Sequence, residues 1–152
     1  MINTRNIKIK PAELDDLEAI YELVVELAVY EKEPDAVKAS ISDYVSAFQE
    51  NLIKPLVAVH DNNILGMTIS YLTFSTWRGR MLYLEDFVIS EKHRRMGIGD
   101  LLFDAVIQQA HDLDCRMVKW QVLDWNTPAV NFYKKKKATI EKEWWNGKII
   151  FE

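Results

Sequence analysis

The apolar positions follow two periods, and the changes from one to the other predict the elements. Ile7 and Ile9 alternate with Lys8 and Lys10, the period of a short half-buried strand. Pro11 ends it, and Glu13, Asp15 and Asp16 put negative charge where a helix begins. Leu17, Ile20, Tyr21, Val24, Leu27 and Ala28 then recur at helical spacing. Ile41, Tyr44, Val45 and Phe48 form a shorter stripe behind the polar Ser40. Leu56 to Val59 and Ile64 to Phe74 are strand-like runs around the turn Asp61-Asn62-Asn63, so they predict a hairpin. Met81 to Ile89 is a further apolar strand, interrupted only by Glu85 and Asp86. A helix follows Gly97-Ile98-Gly99, with Leu101, Leu102, Ala105, Val106 and Ala110 on its apolar side. Met117 to Val122 predicts a strand, and Pro128 to Lys136 a short helix with proline near its first turn. Asn146-Gly147 predicts a tight turn closing a last hairpin, with Trp144 and Trp145 in a core or an interface.

The expected order is β-α-α-β-β-β-α-β-α-β-β. Hairpins beside strand-helix-strand crossovers imply an α/β fold: a mixed, largely antiparallel sheet with helices on both faces. The length of 152 residues suits one domain spanning 1–152. Asp and Glu number 23 against 19 Lys and Arg, a net charge of −4, which argues against a generally basic nucleic-acid binder. The run Lys134-Lys135-Lys136-Lys137 reads as mostly solvated. Cys115 is the only cysteine, so no intrachain disulfide forms, and His60, His93 and His111 are scattered, so no metal site is expected. Met1 to Asn6 has no apolar stretch behind its charge, and no apolar run approaches the ~18 residues of a membrane span. A cytoplasmic protein, bound neither to membrane nor to nucleic acid, is expected.

The most informative segment runs from Phe87 to Asp100. A strand gives way to Arg94 and Arg95, and then Gly97 and Gly99 open a helix. Backbone N–H groups at a helix start attract anions, and glycine lets a phosphate approach the chain closely. The alternative is a strand-to-helix turn with solvated arginines.

Arg94-Arg95-Met96-Gly97-Ile98-Gly99 fits the [Q/R]-x-x-G-x-[G/A] acetyl-CoA motif of the GNAT acetyltransferases, and the element order fits that fold. Tyr83-Leu84-Glu85-Asp86-Phe87, Trp125-Asn126-x-Pro128-x-x-Asn131-Phe132-Tyr133-Lys134 and Glu26-Leu27-Ala28-x-Tyr30-Glu31 add to the resemblance. Together these blocks resemble the spermidine/spermine (diamine) branch of the superfamily and its thialysine-acetylating relatives, from about Ile9 to Lys148.

The resemblance implies a central strand pair that splays around acetyl-CoA. It implies that Phe87, Val88 and Ile89 meet the pantetheine arm. Arg95, Met96, Gly97, Ile98, Gly99 and Asp100, flanked by Arg94, would meet the pyrophosphate. Asn126, Thr127, Pro128 and Ala129 match a second cofactor block, with Tyr133 beside it and Lys135 near the phosphates. Tyr133 matches the general acid that protonates a leaving thiolate, and a phenol within hydrogen-bond reach of sulfur suits that role. The alternative for Tyr133 is an aromatic that packs its helix. Tyr30, Glu31, Trp77, Glu85, Asp86, Lys119, Trp120 and Gln121 match positions lining the amine site. The resemblance also implies a homodimer and direct acetyl transfer to a polyamine or diamine. A lysine-like amino acid such as thialysine is the alternative acceptor, and a non-catalytic CoA sensor is the rival class.

Glu85 and Asp86 stand inside an apolar strand, where carboxylates are costly unless they are partnered. Strand alternation puts them on opposite faces. They either form an acidic site for a cationic amine, where the resemblance implies Glu85 as the base acting through water, or are satisfied by Lys and Arg neighbours. Lys137 stands where relatives carry glycine, which puts the local helix end in question.

Overall fold

A computed structural model describes residues 2–151. The chain divides into two units, Met1–Trp120 and Gln121–Glu152.

The first unit holds strands β1 (Lys8–Pro11), β2 (Lys54–His60), β3 (Asn63–Ser75), β4 (Gly79–Ile89) and β5 (Met117–Lys119), with helices α1 (Leu17–Tyr30), α2 (Ile41–Gln49) and α3 (Ile98–Asp112). The sheet order is β1-β2-β3-β4-β5. The first four strands pair antiparallel, while β4 and β5 are parallel, so the sheet is mixed. The β4–β5 pairing covers only Met81–Tyr83 against Met117–Lys119, and β4 continues beyond it to Ile89. This is the expected splayed pair.

The hairpin between β2 and β3 forms where the sequence predicts it. Asp61 and Asn62 have φ of 48° and 63°, the positive values of a two-residue type I′ turn. Helices cover both faces of the sheet. Met67, Ile69 and Val88 form a buried core with Leu17, Ile20 and Leu23 of α1. Gly66 lies one residue from Met67 and faces the other way, toward α3. A Cβ there would come within 3.2 Å of Leu102 Cδ1 and 2.9 Å of the Val88 carbonyl oxygen, so glycine lets β3 and α3 approach. Phe87 stacks on Phe103 of α3 on that same face, with ring centres 6.2 Å apart.

The second unit holds α4 (Thr127–Lys135) and, among the described residues, no strand. The predicted last hairpin is corrected here. A type I′ turn needs positive φ at both central residues, and neither Asn146 nor Gly147 has it. Trp144, Trp145, Ile149, Ile150 and Phe151 are all exposed, Trp145 at 95%. A two-stranded hairpin with no covered face has little to hold it together.

Among the described residues, the four α-helices end alike. Lys32, Asn51, Asp114 and Lys137 take positive φ just past the C-caps. Their N–H groups bond to the carbonyls of Val29, Phe48, His111 and Lys134. The next N–H groups reach back to Ala28, Ala47, Ala110 and Tyr133. These are Schellman ends, and none of them uses glycine. Lys137 therefore adopts the conformation that glycine favours, with φ of 63°.

Candidate functional site

The register of β3 with β4 corrects the expected split of the two carboxylates. Ile69 pairs with Asp86 and Ser70 with Leu84, so Glu85 is the extra residue of a β-bulge. Cross-strand partners share a face, so Asp86 lies on the face of Ile69, toward α1. Glu85 alternates with Leu84, which faces α3 with Ser70, and so Glu85 also faces α1. Alternation fails at this one point because two residues of β4 oppose one of β3.

Tyr83 precedes Glu85 on the same face and stacks on its partner Tyr71, with ring centres 5.2 Å apart. Tyr44 of α2 reaches the same region. Burial pushes its phenol up to about 12, with further upward contributions from Asp86, Tyr21 and Glu85. Burial raises Tyr71 and Tyr83 as well, with Glu85 adding to both. The Asp86 carboxyl is pushed up to about 6, first by burial, then by the charges of Glu85 and Glu31. Burial also raises Glu31, just past the end of α1. Among the described residues, no lysine or arginine forms an ion pair with Glu85, Asp86 or Glu31. The alternative of carboxylates satisfied by basic neighbours is therefore not what the fold builds. Three carboxylates and three phenols meet on one face, a setting for an alkylammonium group.

Sequence reasoning passed over Tyr44 and Tyr71. Tyr44 carries a polar tip inside an apolar helical stripe, and that was its only local signal. Lys119 pairs with Tyr83 and shares its face. Trp120 meets Phe103 edge to face at 5.6 Å, on the α3 side. Trp77 sits at the β3–β4 turn, 85% exposed. Ser75 Oγ accepts from the N–H groups of Trp77 and Arg78 in that turn. Gly79 starts β4, so at the ordinary strand rise the turn lies roughly 20 Å along the strand from Glu85.

Beyond Ile89 the chain makes a 3-10 turn over Glu91–His93 and reaches the glycine segment. Gly97 caps α3 with φ of 81°, a conformation L side chains adopt only under strain. The helical ladder begins with Leu101 N–H bonding to the Gly97 carbonyl at 3.3 Å. The N–H groups of Ile98, Gly99 and Asp100 therefore form the first turn of a long helix, where the dipole favours anions. Arg95 is exposed with φ of 62°, and Met96 beside it is half-buried. This donor set, a glycine cradle with flanking cations, fits a pyrophosphate. Arg94 is more engaged than expected. Its Nε donates to the Ile89 carbonyl at 3.2 Å, and its guanidinium carbon lies 4.9 Å from the centre of the Tyr30 ring. Val88 is buried in the α1-side core.

In the second unit, Asn126 caps α4 and its side chain accepts from Ala129 N–H at 3.4 Å, while Pro128 stands in the first turn. Thr127 opens the helix and Lys135 lies exposed in its last turn. Tyr133 is buried at 7% exposure, its ring edge to face with Phe132. Gln121 Nε2 donates to Asn146 Oδ1 at 3.2 Å. No helix among the described residues is long and apolar enough to cross a membrane, and no cluster of three His, Cys, Asp or Glu could hold a metal.

Comparison with known proteins identifies the family. Residues 17–137 match the profile of the Acetyltransferase (GNAT) family. The chain is 32% identical over 152 residues to a thialysine N-epsilon-acetyltransferase of Bos taurus, covering 92% of this chain and 89% of that one. It is 31% identical over 140 residues to the spermidine/spermine N(1)-acetyltransferase-like protein 1 of Homo sapiens, covering 86% of this chain but 20% of the longer protein. An aminoglycoside acetyltransferase from an uncultured soil metagenomic sample shares the fold, with a TM-score of 0.81 and 20% identity over 97% of this chain and 98% of that one. With the bulged strand, the glycine-capped helix and the family match over most of its length, this chain belongs to the Acetyltransferase (GNAT) family.

Proposed function

We propose that the chain is an acetyl-CoA-dependent N-acetyltransferase whose acceptor is the primary amine of a small cationic molecule, a polyamine or diamine. The observation that carries this is the pairing of Glu85 and Asp86 on one face, beside Glu31 and without a basic partner. Ammonium groups of the acceptor would neutralise these carboxylates, and the three tyrosines would flank its methylenes.

Acetyl-CoA, when bound, supplies the acetyl group as a thioester. The first turn of α3 and Gly97, with Arg94 and Arg95, would hold its phosphates, and Phe87, Val88 and Ile89 its pantetheine arm. The resemblance gives Asn126, Thr127, Pro128, Ala129 and Lys135 a cofactor-binding role as well. Glu85 takes a proton from the acceptor ammonium through water, leaving a nitrogen lone pair for attack. Tyr133 would hold the phenolic proton that a leaving thiolate requires. We read the two units as one domain, because the family match runs through both. We also read the active form as a homodimer, because Trp144, Trp145 and Phe151 leave apolar surface that a second copy would cover. A cytoplasmic location fits the single cysteine.

Lys119 favours a second acceptor class. Its register puts a cation on the carboxylate-bearing face, where it suits the carboxylate of a lysine-like amino acid such as thialysine. The test is CoA release with acetyl-CoA and spermidine, spermine, putrescine, thialysine, lysine and an aminoglycoside. Turnover of polyamines supports the first reading, and a thialysine preference supports the second. Absence of turnover on every amine, with acetyl-CoA bound, would move the chain to an acceptor outside this panel or to a CoA sensor.

A further inference from the structure

Glu26 belongs to the Glu26-Leu27-Ala28-x-Tyr30-Glu31 block, yet neither the fold nor the proposed chemistry uses it. Its Oε1 accepts the backbone N–H of Glu91 at 2.8 Å, across 65 residues of sequence. That N–H opens the 3-10 turn leading to the glycine segment, so the bond is a charge-assisted cap supplied from another helix. One turn further along α1, Tyr30 lies beneath the Arg94 guanidinium, which also holds the last carbonyl of β4 through Ile89. Two separate contacts thus fasten the end of α1 to the loop before α3. The Schellman end at Lys32 fixes the backbone just beyond Tyr30, and with it Glu31, whose charge reaches Asp86.

We propose that Glu26 is a positioning residue: by fastening α1 to the loop before α3, it makes cofactor and amine binding reinforce each other. The inference rests on the assignment of the loop to CoA phosphates and of the carboxylate face to the amine. A loop held by bound phosphates holds α1, and α1 holds Glu31 toward Asp86. Linkage requires the reverse effect to be equal, so an amine that orders Glu31 also tightens CoA.

The test is calorimetric. The affinities of CoA and of spermidine or thialysine, whichever the protein turns over, are measured singly and each in the presence of the other. In the wild type the amine should bind at least about fivefold tighter with CoA present. Glu26→Ala should bring that ratio toward one. Glu26→Gln keeps an acceptor oxygen for the Glu91 N–H and should keep the ratio within about twofold of wild type. Unfolding midpoints confirm that both variants are folded, and Glu26→Gln remains informative if Glu26→Ala is not. A wild-type ratio of one overturns the coupling while leaving the functional reading intact. Equal damage from Gln and Ala overturns the positioning role, because Gln still offers the Glu91 N–H an acceptor. Failure of the wild type to bind CoA at all overturns the functional reading, and this inference with it.

Discussion

Glu85 and Asp86 are neighbours in sequence and face the same side of the sheet, because both oppose Ile69 across a bulge. In a regular strand one of them would point toward α3 and the acidic face would be halved. The bulge puts their charges on one side; burial, with the charges of Glu85 and Glu31 added to it, pushes the Asp86 carboxyl up to about 6.

That shift makes stability depend on pH. The folded state favours neutral Asp86, so the associated stability is fully present below the ordinary value of 3.8 and is lost as pH rises through about 6. Asp86→Asn should therefore be more stable than wild type by about 3 kcal/mol at pH 8 and nearly equal to it near pH 3.5. Denaturant midpoints at the two pH values measure this. Equal midpoints at pH 8 would mean that Asp86 carries no burial penalty. The same variant should raise the KM for a cationic acceptor about tenfold above pH 6 and abolish the wild-type rise in KM as pH falls through 6.

Tyr133 tests the chemistry directly. Removing its hydroxyl leaves the ring that packs α4, so Tyr133→Phe should fold and should bind acetyl-CoA with wild-type affinity. Its kcat should fall about 100-fold or more, the usual contribution of a positioned acid. Steady-state kinetics with a binding titration separates the outcomes. Unchanged kcat would assign Tyr133 to packing alone.

Much of this was legible in the sequence because period and turn chemistry are local. The α1 stripe, the Asp61-Asn62 turn and the glycine start of α3 all follow from short-range rules. The bulge was not legible, since an extra residue is defined only against its partner strand and Glu85 carries no mark of it. Tyr44 was hidden for a similar reason: helical spacing explains its burial, and only the register of β4 shows that the charges of Asp86 and Glu85 act on its phenol. The last hairpin failed the other way. Asn146-Gly147 carries the right turn residues, but a turn signal cannot supply the face against which two strands bury their side chains.

Gly97 offers a test of the phosphate cradle with an internal control. Ala at Gly97 keeps the positive φ only at about 1–2 kcal/mol of strain. Its Cβ would meet only Thr4, at an ordinary 3.5 Å, so conformation rather than crowding is at issue. Gly97→Ala should weaken CoA binding about tenfold, while Gly147→Ala, where a Cβ meets nothing within 4 Å, should leave affinity and stability unchanged. Isothermal titration of both variants decides it. Wild-type affinity in Gly97→Ala would show that the helix start does not depend on that backbone conformation.

The Schellman ends make a prediction free of any functional assumption. Lys137 has φ of 63° without the freedom of glycine, and both bonds of the motif, to Lys134 and Tyr133, are already in place. Lys137→Gly removes the strain but widens the conformational choice of the unfolded chain, so its net gain is smaller than the strain itself. An increase of about 0.5–1 kcal/mol in unfolding free energy is expected, since the left-handed position rewards glycine. Lys137→Ala tests whether the backbone or the loss of the charged side chain is responsible. Alanine removes the charge and keeps the Cβ, so it should give none of the gain. Equal stabilisation by alanine and glycine would trace the effect to relief of the Lys134–Lys137 charge run and leave the backbone strain without consequence.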